Sequence, residues 1–139
     1  MKKKILIVDD EPGIVRLLAI RLKAKGYEVF KAYNALECLM ITKEVKPDLI
    51  LLDIIMPKIS GIAAFEVIIE QDETKDIPVL FMTAYPTPKI KEKVLKMGAK
   101  GCMSKPFISI DIEQTIDMII NNYSLSDYQK IYPTYRPLN

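Results

Sequence analysis

An α/β fold built on a five-stranded parallel sheet is predicted by three observations. Five short runs rich in Ile, Leu and Val recur along the chain, longer segments of helical period separate them, and chemistry-bearing residues stand just after the runs. The first run, Lys4–Val8, is followed by Pro12 at a position suited to the first turn of a helix, then by Ile14, Leu18 and Leu22 at four-residue spacing. Gly26 suits the exit of that helix. A second strand is expected over 27–32, with Asn34 as a helix cap after it, and a third over 48–52. The fourth, 78–82, precedes a helix carrying Ile90, Val94 and Met97 and leaving at Gly98. The fifth, 100–103, is weaker, and the last helix carries Ile112, Ile116 and Ile119 behind a cap at Ser109 or Asp111.

At 139 residues the chain has room for one domain with a proper core, expected over 1–122. Half of it is apolar and 27% is charged, the composition of an ordinary globular protein. A net charge of +2 does not argue for nucleic acid. With only Cys38 and Cys102, far apart, and no histidine, a disulfide framework and a typical zinc site are both disfavoured. The basic start is followed by an apolar run much shorter than the ~7–15 residues of a signal sequence core, and no stretch approaches the ~20 residues of a membrane span. A cytoplasmic location, with no membrane partner, is expected. From Tyr123 the character changes: residues 123–139 hold four of the seven tyrosines and no helical period. This tail either packs on the domain or binds a partner.

In an open parallel sheet, ligands bind beyond the carboxyl ends of the strands. There the sequence places Asp9, Asp10 and Glu11 after the first strand, Asp53 after the third, Thr83 after the fourth, and Ser104, Lys105 and Pro106 after the fifth. If the first and third strands are neighbours, the aspartates crowd together, and two charges ~4 Å apart repel by roughly 4 kcal/mol at an effective dielectric of 20. A hard divalent cation, Mg²⁺ above all with Mn²⁺ as the alternative, suits such oxygen ligands; Lys105 compensates only in part. The bland reading of Asp9–Asp10–Glu11 is a solvated acidic loop at a helix N-terminus. The chemical reading is phosphoryl transfer: Asp53 attacks phosphorus, while the cation, Lys105 and the Thr83 hydroxyl hold the equatorial oxygens.

These residues resemble the receiver domains of two-component response regulators over nearly the whole domain, from Lys3 to Asn121. "ILIVDDEP" looks like the family's first strand and acidic pair, "DLILLDIIMPKISG" like its phosphoacceptor strand and loop, "VLFMTA" like its threonine strand, and "GAKGCMSKPF" like its lysine-proline loop. The resemblance implies a doubly wound, flavodoxin-like sheet of order 2-1-3-4-5 with five helices on its two faces, an order for which a member of this family is a standard example. It implies Asp53 as phosphoacceptor, a metal site of Asp9, Asp10, Asp53 and the backbone carbonyl of Ile55, and Thr83 and Lys105 as switch hydroxyl and phosphate-binding lysine. It also implies a cis peptide between Lys105 and Pro106, and a partner-facing edge of Ile14, Leu18, Met56 and Pro57, although core packing alone accounts for Leu18.

Two positions depart from the family pattern. Cys102 stands where an aromatic switch residue is usual, and reads either as a small buried strand residue or as a redox-sensing thiol. Ile55 replaces a side chain that is polar in fast-cycling relatives; being unable to orient water, it predicts a long-lived phosphoryl group. The implied partners are a histidine kinase or a histidine phosphotransfer protein, since the chain has no histidine of its own, and a downstream protein target. A stand-alone receiver is expected, monomeric or dimerising on phosphorylation. The tail holds no helix-turn-helix, so direct nucleic acid binding is not expected. Six lysines and one acid lie between Lys89 and Lys105, a solvated face or a surface for an acidic partner. The alternatives are an aspartate-nucleophile phosphohydrolase, which tends to carry an acid where Ile55 stands, a flavodoxin-like cofactor binder, which lacks here its phosphate loop, and a receiver-like scaffold without phosphorylation.

Overall fold

Alternating strands and helices form a parallel sheet of order β2-β1-β3-β4-β5. The computed structural model describes residues 1–105, 109–124, 126 and 130. The elements are β1 (Lys4–Val8), α1 (Pro12–Ala24), β2 (Glu28–Ala32), α2 (Ala35–Val45), β3 (Leu49–Asp53), α3 (Gly61–Glu70), β4 (Val79–Thr83), α4 (Pro88–Lys96), β5 (Gly101–Ser104) and α5 (Ser109–Ile120). All five expected strands are present in the order the resemblance implied. The cis peptide expected at Pro106, the side chains of Ser109 and Asp111 and nearly all of the tail lie outside the described residues.

Side chains alternate across the sheet and fill two cores. Ile5, Ile7, Leu49, Leu51, Leu80 and Met82 face one side, with Val15, Leu18 and Leu22 of α1 and Ile112 and Ile116 of α5. Leu6, Val8, Ile50, Leu52, Val79 and Phe81 face the other, with Cys38 of α2, Phe65 and Ile68 of α3 and Val94 of α4. Covering on both faces is why the central strands read as unbroken apolar runs. Phe65 and Phe81 meet edge to face, their centroids 5.3 Å apart at 86°. Such contact adds ~0.5–1.5 kcal/mol beyond the area the rings bury.

Local chemistry sets the helix limits. Asn34 caps α2 by accepting the Glu37 N–H at 2.9 Å, while the Glu37 carboxylate returns to the Tyr33 N–H at 3.0 Å, a reciprocal cap. Gly26 and Gly98 leave α1 and α4 at φ 95° and 106°, conformations a side chain would strain. Three strands run one residue further than expected, to Asp53, Thr83 and Ser104. Backbone pairing carries them on: Asp53 lies opposite Met82, and Thr83 opposite Ser104.

Candidate phosphoacceptor site

The register of three central strands assembles the site. Val8 lies opposite Leu52, so Asp9 leaves β1 beside the end of β3. The Lys105 N–H donates to the Thr83 carbonyl at 2.8 Å, which ties the residue after β5 to the end of β4. Strand order thus brings side chains far apart in sequence to one rim.

Asp9 and Asp53 are hidden there, 0% and 3% exposed, and Asp10 lies at the edge. One oxygen from each of the three falls within 4.8 Å of the others. Lys105 answers the charge: its Nζ is 2.5 Å from Asp9 Oδ2, 3.3 Å from Asp53 Oδ2 and 3.8 Å from Glu11 Oε1. Asp9 Oδ1 accepts the Glu11 N–H at 2.9 Å, whereas buried Oδ2 has the ion pair but no well-directed hydrogen bond. A buried carboxylate oxygen left without a proper donor, beside two more carboxylates, is a donor set suited to a hard divalent cation.

Burial, and then the neighbouring Asp9 charge, push the Asp53 carboxyl up to about 6; Lys105 and the Ile55 N–H pull it part of the way back. At pH 7 Asp53 is still mainly ionised, roughly ten to one. Burial acts to lower the Lys105 ammonium, but the Asp9 and Asp53 carboxylates more than offset it and the net shift is upward. The site therefore offers a charged nucleophile beside a fixed cation.

Thr83 is buried at the end of β4, and its Oγ1 accepts the Tyr85 N–H at 3.1 Å. The hydroxyl proton can still be donated. Ile55 lies at the mouth with its side chain 57% exposed. Cys102 is buried in the core opposite Phe81. Burial raises its thiol pKa, with Lys91 acting the other way, which describes an unreactive strand residue better than a redox sensor.

The expected partner edge needs correction. Leu18 and Met56 are both core residues, Leu18 under α1 and Met56 in the cluster on the opposite face. Their apolar side chains gain more from the core than from solvent, which leaves Pro57 exposed and Ile14 half-buried as the accessible part of that edge.

Sequence reasoning placed Glu11 at the rim and Gly61 after the third strand but gave neither a role. Glu11 belongs to the ion network through both its carboxylate and its amide. Gly61 opens α3 against the backbone at the end of β3, donating its N–H to the Ile54 carbonyl at 2.8 Å, and a Cβ there would collide with the Asp53 carbonyl oxygen. A glycine directly after the α3 cap Ser60 was the available signal.

An acidic rim around a buried carboxylate, on a doubly wound sheet, defines the class as a phosphoacceptor-type signalling domain. Residues 5–117 match the response regulator receiver domain family, and the chain belongs to it. The polar-differentiation response regulator DivK of Brucella anthropi is 35% identical over 76% of this chain and 86% of its own length. The alkaline phosphatase synthesis transcriptional regulatory protein PhoP of Bacillus subtilis is 36% identical over 91% of this chain but 52% of its own. The chain thus spans about half the length of several curated relatives, DivK excepted. Among solved structures, the chemotaxis protein CheY4 of Vibrio cholerae aligns with a TM-score of 0.81 at 28% identity, over 86% of this chain and 99% of that one. The chain is therefore a receiver domain of the two-component type.

Proposed function

We propose that Asp53 accepts a phosphoryl group from a phosphohistidine on a kinase or phosphotransfer protein, and that the phosphorylated form changes what the domain binds. The observation that carries this reading is the buried Asp53 carboxylate held within 4.8 Å of Asp9 and Asp10 oxygens and 3.3 Å from Lys105 Nζ. The Asp53 oxygen attacks phosphorus in line and the bond to the donor nitrogen breaks, with the leaving imidazole taking the electron pair. Lys105 sits where it holds an equatorial oxygen, and Thr83 has a proton to donate to another. Asp9, Asp10 and Asp53 would hold Mg²⁺, with Mn²⁺ as a substitute and the Ile55 carbonyl as a further ligand. When bound, the ion would neutralise charge on the transferring phosphoryl oxygens.

The domain on this reading occupies residues 1–122, works in the cytoplasm, carries out only phosphorylation and dephosphorylation of its own aspartate, and does not itself touch nucleic acid. Among the described residues no helix is long and apolar enough to cross a membrane. Ile55, exposed and apolar beside the site, supports slow loss of the phosphoryl group, because it offers attacking water no hydrogen bond. Incubation with acetyl phosphate and Mg²⁺ followed by intact mass measurement tests the assignment. One phosphoryl mass is expected on the parent chain and none on Asp53→Asn; equal labelling of the two would overturn it.

A further inference from the structure

We infer that the groove between α2 and α3 is a docking surface for the outer face of α1 on a second copy of this chain, so that copies associate head to tail.

Two apolar surfaces stay open to solvent on opposite sides of the sheet. On one side, Leu36 and Met40 of α2 and Val67 of α3 are 63%, 70% and 37% exposed. Met40 and Val67 stand on the two walls of a groove of about 270 Å³, with Leu39 and Gln71 beside them, and Leu36 extends the α2 wall by one turn. On the other side, Leu17 and Ile20 of α1 are 57% and 59% exposed. Spacings of three and four residues set them with exposed Gly13 and Ala24 in one stripe along the helix.

These surfaces carry opposite charge. Residues 12–25 hold Arg16, Arg21, Lys23 and Lys25 and no acid. By helical spacing Arg16 and Lys23 run along one flank of the α1 stripe, and Arg21 and Lys25 along the other. Residues 61–73 hold Glu66, Glu70, Asp72 and Glu73 and no base. Glu66 and Glu70 are exposed on α3 beside Val67, and Glu44 is exposed on α2 one turn after Met40. Among the described residues Lys43 is the one charged group lining the groove, and these three carboxylates outnumber it. Arg21 and Lys25 reach Glu113 of α5 at 3.4 and 3.7 Å. Arg16, Lys23, Glu44, Glu66 and Glu70 have no ion-pair partner among the described residues, so their charges are open to another molecule.

The charge pattern selects the pairing. Groove on groove sets Glu44, Glu66 and Glu70 against their own copies, and α1 on α1 sets arginine and lysine against themselves. Of the three pairings, α1 in the groove alone matches apolar to apolar and base to acid. Because α1 covers one face of the sheet and the groove helices cover the other, a chain cannot fill its own groove. The contact is therefore heterologous, and each added copy leaves one α1 and one groove free. A single helix of 13 residues, about 20 Å long, makes a small interface, below the ~1,200 Å² of stable complexes, so association is weak and depends on concentration.

Sedimentation equilibrium of the full chain at up to about 1 mM, in chelator and without a phosphoryl donor, tests this. The mean mass of the parent is expected to rise with concentration at ~0.01 M salt and to return toward the monomer at ~1 M, where screening shortens to about 3 Å. Leu36→Ser/Met40→Ser removes the groove side of the contact and Leu17→Ser/Ile20→Ser the α1 side; each is expected to weaken association about tenfold or more. An equal mixture of these two variants joins an intact α1 to an intact groove, and is expected to associate again and stop at the dimer. Glu66→Lys/Glu70→Lys, which keeps every apolar side chain in place, is expected to weaken association as the groove variant does. Leu95→Ser, at a position 41% exposed on α4, is expected to behave as the parent. Circular dichroism and melting of each variant check that the fold is kept. A parent that stays monomeric at about 1 mM in low salt, a mixture no larger than its components, or an equal loss in Leu95→Ser would overturn the pairing.

Discussion

Leu49 to Leu52 and Asp53 are consecutive residues of β3 and equally hidden from solvent, yet burial acts on them in opposite directions. The leucines and Ile50 leave water for packed neighbours on the two faces of the sheet, at roughly 1.5–3 kcal/mol gained for each large side chain. Asp53 and Asp9 lose hydration and gain mainly a shared lysine, and for Asp53 burial and the Asp9 charge raise the cost of ionising. The interior of the sheet stabilises the domain; its carboxyl rim draws on that stability to keep buried charged carboxylates together.

That contrast can be broken most sharply from the stabilising side. Leu51→Ala leaves a cavity between α1 and α5 and is expected to cost about 3–4 kcal/mol, read from urea unfolding. A loss below 1 kcal/mol would mean that the central strand packs loosely.

At the rim, Lys105→Met removes the cation that Asp9 and Asp53 share. A loss of about 2–3 kcal/mol is expected in chelator, with much of it restored by millimolar Mg²⁺. Melting curves that are the same with and without the ion would show that the carboxylates are not a cation site.

Asp53→Asn should act in the other direction. The parent carboxyl titrates at about 6 in the fold, above its ordinary 3.8, so its protonated form favours folding. That contribution is fully present below 3.8 and is lost as pH rises through about 6. The asparagine variant is therefore expected to melt as the parent does near pH 4 and to exceed it by about 1–2 kcal/mol at pH 7.5, after allowance for the lost lysine pairing. A gap that closes as pH rises would contradict the upward shift.

The smallest effect belongs to Thr83→Val, which keeps the shape of the side chain and removes the acceptor of the Tyr85 N–H. About 1 kcal/mol is expected, together with faster hydrogen exchange at the Tyr85 amide. Unchanged exchange there would separate Thr83 from the β4–α4 turn.

The architecture was legible because its causes are local. Apolar runs of strand length, helical spacing at Ile14, Leu18 and Leu22, the Asn34 cap and the Gly26 and Gly98 exits each act within a few residues. The acidic rim was legible for a related reason: in a parallel sheet every strand end points to one edge, so Asp9, Asp53, Thr83 and Lys105 converge once the sheet forms. Leu18 and Met56 were harder to assign, because an apolar side chain looks the same in sequence whether it faces a partner or a core. Glu11 and Gly61 were in view but without a role, for a third reason. Their roles depend on distances to residues on other elements, which no local pattern encodes.

The sequence by itself determined the α/β class, the order of the elements and the set of charged residues at the rim, since periodicity, caps and turn chemistry are written residue by residue. Only the tertiary structure decided which carboxylates meet. Register set Asp9 beside Asp53 and Lys105 between them, and it seated α3 so closely on the Asp53 backbone that position 61 has room for glycine alone. The upward shift of the Asp53 carboxyl also belongs to tertiary structure, because desolvation and a neighbouring charge exist only once distant segments have packed.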